Sequence, residues 1–166
     1  MGKIKLSQTG SASGLARQRY ANPPYRILVV NDNADILQLN VEGLRHHGYE
    51  VGLAADGCAG WQELQTNSYH LLITEHELPG LTGVGLIKNL RSAYMPLPVI
   101  IAIETMPPFQ SSQYPWLLRA HKLFKPYAVA AMLELVKRVL RTTNDTAVKI
   151  RRQEMYPAHR EPAVTL

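Results

Sequence analysis

Residues 70–83 read HLLITEHELPGLTG, an apolar run that ends near the acidic Glu75 and passes into a loop carrying Pro79-Gly80 and Gly83. A short continuous apolar run bounded by turn residues suits a strand buried on both faces. Similar runs stand on either side of it. Upstream, Arg26-Ile27-Leu28-Val29-Val30 stops at the polar Asn31-Asp32-Asn33, and Tyr49–Ala55 reads as a shorter strand closed by Asp56-Gly57. Downstream come Pro98–Ile103 (PVIIAI) and His121–Phe124, the latter followed by Lys125-Pro126.

Helical spacing fills the gaps between these strands. Ile36, Leu37, Val41 and Leu44 recur on one face after Asn33, a good N-cap, and before Gly48, a good left-handed terminator. Ala59–Gln65 carries Trp61 and Leu64, and Val84–Arg91 carries Leu86, Ile87 and Leu90. Between the fourth and fifth strands Pro107, Pro108 and Pro115 break the pattern, so a short or irregular helix is expected, restarting at Pro115 with Trp116 and Leu117 inward. Ala128–Arg141 is the clearest amphipathic helix, with Met132, Leu135, Val136, Val139 and Leu140 apolar. Five strands alternating with five helical stretches imply βαβ units with right-handed crossovers and a parallel sheet wound on both sides. Reactive residues in such sheets gather at the carboxyl ends of the strands. That rule selects Asn31-Asp32, Glu75, Ile103 and Lys125.

The chain has 166 residues, 46% of them hydrophobic and 19% charged, with a formal net charge of +5. The excess is not in the domain. Residues 25–141 hold ten Lys/Arg and ten Asp/Glu, while the flanks hold eight against three. The flanks, 1–24 and 142–166, lack apolar periodicity and are expected to be flexible tails. Solvated tails are the favoured reading and nucleic acid the disfavoured one. Cys58 is alone, which excludes an internal disulfide and a cysteine-based zinc site. No stretch suits a signal peptide or a bilayer span, so the expected compartment is the cytoplasm, with no membrane partner.

On these motifs residues 25–141 resemble the receiver domain of two-component response regulators. RILVVNDN is similar to that family's first strand with its acidic pair, and HLLITEHELPGLTG to the strand and loop of the phospho-accepting aspartate. PVIIAI resembles the strand that ends in a switch hydroxyl, and LFKPY the strand that ends in Lys-Pro. The resemblance implies a flavodoxin-like, doubly wound, five-stranded parallel sheet of order 2-1-3-4-5 with helices on both faces. It also implies the chemistry to be expected of an intact site. An aspartate there becomes an acyl phosphate, magnesium held by acidic side chains neutralises the phosphoryl oxygens, and a lysine assists.

Position by position this site is altered. Glu75 stands at the acceptor, and its extra methylene displaces an oxygen whose placement in-line transfer depends on. Asn31-Asp32 replaces the acidic pair with one charge fewer, so Asp32, Asn31 and Glu75 form at best a weak magnesium set, with Asn31 able to offer a carbonyl oxygen. Lys125 matches the lysine and is expected to pair with Glu75 directly. That pair either imitates the phosphorylated state or only neutralises the site. Ile103 stands where the family has a switch hydroxyl, with Thr105 two residues on, and Lys122 stands at the aromatic switch position. The expectation is a degenerate, non-enzymatic receiver with no catalytic residue and no firmly bound cofactor; the alternative is a functional receiver that accepts a phosphoryl group despite Glu75.

No output module fits in the 25 residues after Arg141, so the receiver is expected to stand alone. Its expected partner is a signalling protein, a histidine kinase or an output protein, bound on the surface of the fourth and fifth helical stretches and the strand between them. His46, His47, His70 and His76 read as structural, because none has a second ligand at metal spacing. Gly80, Gly83 and Gly85 do not make a phosphate loop, since no Lys-Ser/Thr follows. Trp116 and Tyr127 suit either the core or a contact surface.

Overall fold

The computed structural model describes residues 24–105 and 117–155. The expectations that fall on 1–23, on the proline-rich stretch 106–116 with Trp116, and on 156–166 lie outside the described residues. Five parallel strands, β1 (Arg26–Val30), β2 (Glu50–Ala54), β3 (Leu71–Glu75), β4 (Val99–Ile103) and β5 (His121–Phe124), form one sheet of order β2-β1-β3-β4-β5. The helices are α1 (Ala34–His46), α2 (Gly57–Thr66), α3 (Gly83–Ser92) and α4 (Val129–Met155), with a single 3₁₀ turn at Leu117–Arg119.

Side chains alternate across the pleat and divide the core in two. Ile27, Val29, Leu71, Ile73, Ile100 and Leu123 pack with Leu44 of α1 and Met132, Val136 and Val139 of α4. Leu28, Val30, Leu72, Val99, Ile101 and Ile103 face Leu64 of α2 and Leu86, Ile87 and Leu90 of α3. Because both faces are covered, β3 and β4 are buried along their whole length, which is why they read as unbroken apolar runs.

Local signals act where they were expected. The Asn33 side chain accepts from the backbone N–H groups of Asp35 and Ile36 and starts α1. Past its end Gly48 has φ +84°, a conformation that L side chains rarely adopt. Thr82 caps α3 and Asp56 caps α2, so Asp56-Gly57 is a helix start rather than a free turn.

The last helix corrects the expected boundary. It runs on past Arg141 to Met155, so the segment expected to be flexible from 142 is helical as far as 155. No Gly or Pro interrupts residues 142–155, and the threonines there do not compete with the helix. Thr142, Thr143 and Thr146 donate their hydroxyls to the carbonyls of Arg138, Val139 and Thr142, one turn back. Asn144 also bonds the Tyr25 hydroxyl, which ties the extension to the start of β1. Residues 142–147 are exposed, so their polar composition marks contact with water and not the end of the helix.

Candidate functional site

The carboxyl ends of β1, β3 and β5 bring Asn31, Glu75 and Lys125 into one cluster. Glu75 is the last residue of β3, and its side chain is only 5% exposed. One carboxylate oxygen, Oε2, lies 2.7 Å from Lys125 Nζ. The other, Oε1, accepts a 2.8 Å hydrogen bond from Asn31 Nδ2. The Asn31 carbonyl oxygen accepts the backbone N–H of Asn33 at 2.8 Å. Both ends of the Asn31 amide are thus engaged: the oxygen that the sequence offers to a cation accepts one bond in the turn after β1.

The backbone holds this cluster in register. Lys125 N–H donates to the Ile103 carbonyl at 2.8 Å, and His76 N–H to the Ala102 carbonyl at 3.0 Å. The loop after β3 returns so closely that a Cβ on Gly83 would sit 1.7 Å from the Glu75 carbonyl oxygen. Only glycine fits there. Burial works to lower the Lys125 pKa. The hydrogen bond and charge of Glu75, with smaller contributions from Glu104 and Tyr127, more than offset it and hold the ammonium above the usual lysine range.

Ile103 ends β4 and is buried in the core half that faces α2 and α3. Thr105 is exposed beyond the strand end and lines a cavity of roughly 290 Å³ with Glu75, His76, Glu77, Glu104 and Lys125. Glu75 pairs with Ala102 across the sheet, which puts Ile103, and not Thr105, at the first position past the acceptor. Lys122, in the middle of β5, donates from Nζ to the carbonyls of Ala120 (2.7 Å) and Leu117 (3.1 Å). Its ammonium closes the 3₁₀ turn against the strand, and burial lowers its pKa.

The remaining sequence candidates separate cleanly. His76 reaches the cavity beside Glu75, but among the described residues no three of His, Cys, Asp and Glu are grouped to hold a metal ion. His70 Nδ1 accepts the Arg26 backbone N–H at 2.9 Å, and its ring meets Tyr25 edge-on. His47 Nδ1 bonds the Gly43 carbonyl at the end of α1. Asp32 is exposed. Tyr127 is partly buried, and its hydroxyl accepts from Asn40 Nδ2 at 3.0 Å. That contact spans 87 residues and left no sequence signal beyond an asparagine on the inner face of α1.

A five-stranded parallel sheet of this order, with a carboxylate and a lysine converging at the strand ends, defines a doubly wound α/β domain with its polar site at the carboxyl edge of the sheet. A profile of the response regulator receiver domain matches residues 27–137, and the chain belongs to that family. It is 27% identical over 128 residues to the transcriptional regulatory protein PrrA of Mycobacterium tuberculosis, covering 74% of this chain and 52% of the relative. To the probable transcriptional regulatory protein SilR of Salmonella typhimurium it is 31% identical over 120 residues, covering 72% and 52%. The chain therefore spans about half the length of these curated relatives. Among solved structures it is similar to the chemotaxis response regulator CheY4 of Vibrio cholerae, with 28% identity and a TM-score of 0.62, covering 70% of this chain and 98% of that one. It is also similar to the response regulator TrrA of Thermotoga maritima, solved in complex with Mg²⁺–BeF, with 26% identity and a TM-score of 0.61, covering 69% and 98%. The chain is a receiver of two-component signal transduction, a system in which receivers act with histidine kinases or output proteins.

Proposed function

We propose that this receiver signals without carrying a phosphoryl group, as a protein-binding module rather than an enzyme. One observation carries the reading: both oxygens of the buried acceptor carboxylate are taken by N–H donors of the chain itself, Asn31 and Lys125. In-line transfer needs an oxygen aimed at the incoming phosphorus, and these two donors fix the direction of both. A magnesium ion needs hard oxygen ligands in near-octahedral array. Here the first-strand position turns an N–H₂ group toward the acceptor, so this donor set does not suit the ion, and no phosphoryl step is assigned to it.

The relay beyond the acceptor is cut as well. Ile103 has no hydroxyl to be drawn toward the site, and Lys122 is held by two carbonyls instead of swinging between positions. With nothing downstream for the Glu75–Lys125 pair to pull, it acts as a neutralised structural element. Signalling then depends on whether the receiver is present and what it binds. The binding surface is formed by the Leu117–Arg119 turn, β5 and α4. Leu118 and Phe124 support this, being 62% and 52% exposed large apolar side chains on the first two of these elements. The partner is a signalling protein of the cytoplasm, a histidine kinase or an output protein.

Isothermal titration with magnesium and beryllofluoride tests the reading. The expected trace shows no saturable heat at millimolar ligand. Robust binding, or a phosphoryl adduct in the intact mass after incubation with acetyl phosphate that is lost in Glu75→Gln, would overturn it.

A further inference from the structure

At the opposite end of the sheet from Glu75, the residues leading into β4 and β5 frame a cleft of roughly 420 Å³. Arg91, at the end of α3, and Arg119, at the end of the 3₁₀ turn, both line it, together with Tyr94, Met95, Leu97 and Thr143. It has no acidic lining residue, and among the described residues neither arginine forms a salt bridge.

Arg91 is only partly served by the chain. Its Nη1 donates to the carbonyls of Met95 and Leu97, each at 2.9 Å, and so shapes the α3–β4 loop. Its Nε is buried and has no acceptor among the described residues. Buried polar groups are nearly always paired, so an orphan guanidinium N–H is an exception that needs a cause. Nη2 has no partner among the described residues and is not among the buried atoms, so it is the nitrogen open to a carboxylate, beside the shielded Nε. The like charge of Arg119 in the same cleft raises the demand for an anion, and burial with this neighbour lowers the Arg91 pKa.

The rim suggests what would carry that anion. Tyr94 is 95% exposed and has φ +55°, a left-handed conformation that is uncommon outside glycine and asparagine. The fold thus turns an aromatic side chain fully into water beside two arginines, on a floor of Met95 and Leu97. Tyrosine and arginine are the residue types that dominate protein interfaces.

We propose that this cleft binds an acidic segment of a protein partner, a carboxylate entering between Arg91 and Arg119 and the adjoining chain covering Tyr94. The site is independent of the Glu75 cluster and would serve whether or not the receiver is phosphorylated. It adjoins the Leu117–Arg119 turn and α4, through Arg119 and Thr143, and lies remote from β5's carboxyl end.

The test is a titration of the ¹⁵N-labelled full chain with hexaglutamate and, separately, with inorganic phosphate. Hexaglutamate is expected to shift the amides of residues 91–95, 97, 119 and 143 saturably, with affinity falling as salt rises. Arg119→Ala, at an exposed position that leaves the loop carbonyls served, should weaken that binding roughly three- to tenfold. Tyr94→Ala should weaken hexaglutamate binding much less, because that probe has no apolar side chain. Shifts scattered over the surface, or unchanged in Arg119→Ala, would overturn the proposal. Saturable binding of phosphate with hexaglutamate silent would overturn the assignment to an acidic peptide.

Discussion

Asn31 and Glu75, 44 residues apart, share a hydrogen bond in which the amide Nδ2 donates to Oε1 across 2.8 Å. On the proposed reading, a donor thus faces the carboxylate where magnesium would need an oxygen ligand. Reversing that one group has a definite consequence. Asn31→Asp should keep the bond to the Asn33 N–H, since either oxygen can accept, but would place a second carboxylate against Glu75 with only Lys125 to balance both. Two carboxylates sharing one site destabilise each other. At neutral pH the variant should lose about 1–3 kcal/mol in a urea titration, because a buried partner is left without its donor, and millimolar magnesium should restore part of it. The double variant Asn31→Asp/Glu75→Asp should bind magnesium more tightly than either single change. If Asn31→Asp is as stable as the parent without metal, the hydrogen bond has been misjudged.

Alkaline pH separates the ion pair from the rest of the fold. Lys125 has a folded-state pKa raised above its unfolded value, despite burial, by the hydrogen bond and charge of Glu75. Such a base contributes its stabilisation fully below the unfolded value, about 10.4, and loses it as pH rises through the folded value. Lys122 runs the other way: burial lowers its pKa, so between its folded and unfolded values stability rises with pH. Comparing the parent with Glu75→Gln cancels the Lys122 contribution. The unfolded lysine cancels in this comparison, so the parent's advantage should shrink with rising pH, followed by denaturant midpoints at each pH. The decline starts below the ordinary lysine range, because burial alone lowers the Lys125 pKa in the variant. An advantage that grows above pH ~10 would contradict the pairing.

Lys122 Nζ donates to the Ala120 carbonyl and is a second donor to the Leu117 carbonyl, which also accepts the Ala120 N–H at 3.0 Å. Lys122→Met keeps the aliphatic stem and removes the ammonium, leaving the Ala120 oxygen without this donor and the Leu117 oxygen with the Ala120 N–H only. The expected loss is about 1–2 kcal/mol, near the lower part of the range for unpaired polar groups because the site is only partly buried. Hydrogen exchange should rise at residues 117–120 and stay unchanged in β1 and β3. Uniform loss of protection across the sheet would show that Lys122 supports the core and not the turn.

What the sequence disclosed follows from how local each feature is. The apolar runs of β1, β3 and β4 and the caps Asn33 and Gly48 depend on neighbours in the chain, and they led directly to a parallel doubly wound sheet. Glu75 and Lys125 were legible because strand ends in such a sheet must converge. The direction of the Asn31 amide was not, since asparagine carries a donor and an acceptor at equal reach, and only the placed Glu75 and Asn33 decide between them. Lys122 was read as an aromatic lost, while its new partners are carbonyls, which every residue has and no sequence marks. The length of α4 was hidden because Thr142, Thr143 and Thr146 resemble a loop until each hydroxyl is seen to bond one turn back.

Gly83 links the loop to the acceptor more tightly than any side chain does. A methyl group there would meet the Glu75 carbonyl oxygen at 1.7 Å and the Thr74 hydroxyl oxygen at 3.2 Å, both on a strand that is buried along its length. Neither can retreat without moving β3 against β1 and β4. Gly83→Ala should therefore cost about 3 kcal/mol or more, in the range of overpacked cores, and separate Glu75 from Lys125. Gly85→Ala makes the matched control: its nearest contact is the tip of the Leu81 side chain at 2.8 Å, which can rotate away, and alanine favours the first turn of α3. Its denaturation midpoint should lie within ~0.5 kcal/mol of the parent. If the two variants proved equally stable, the loop would be more yielding than this approach allows, and Glu75 would owe its position to Asn31 and Lys125 alone.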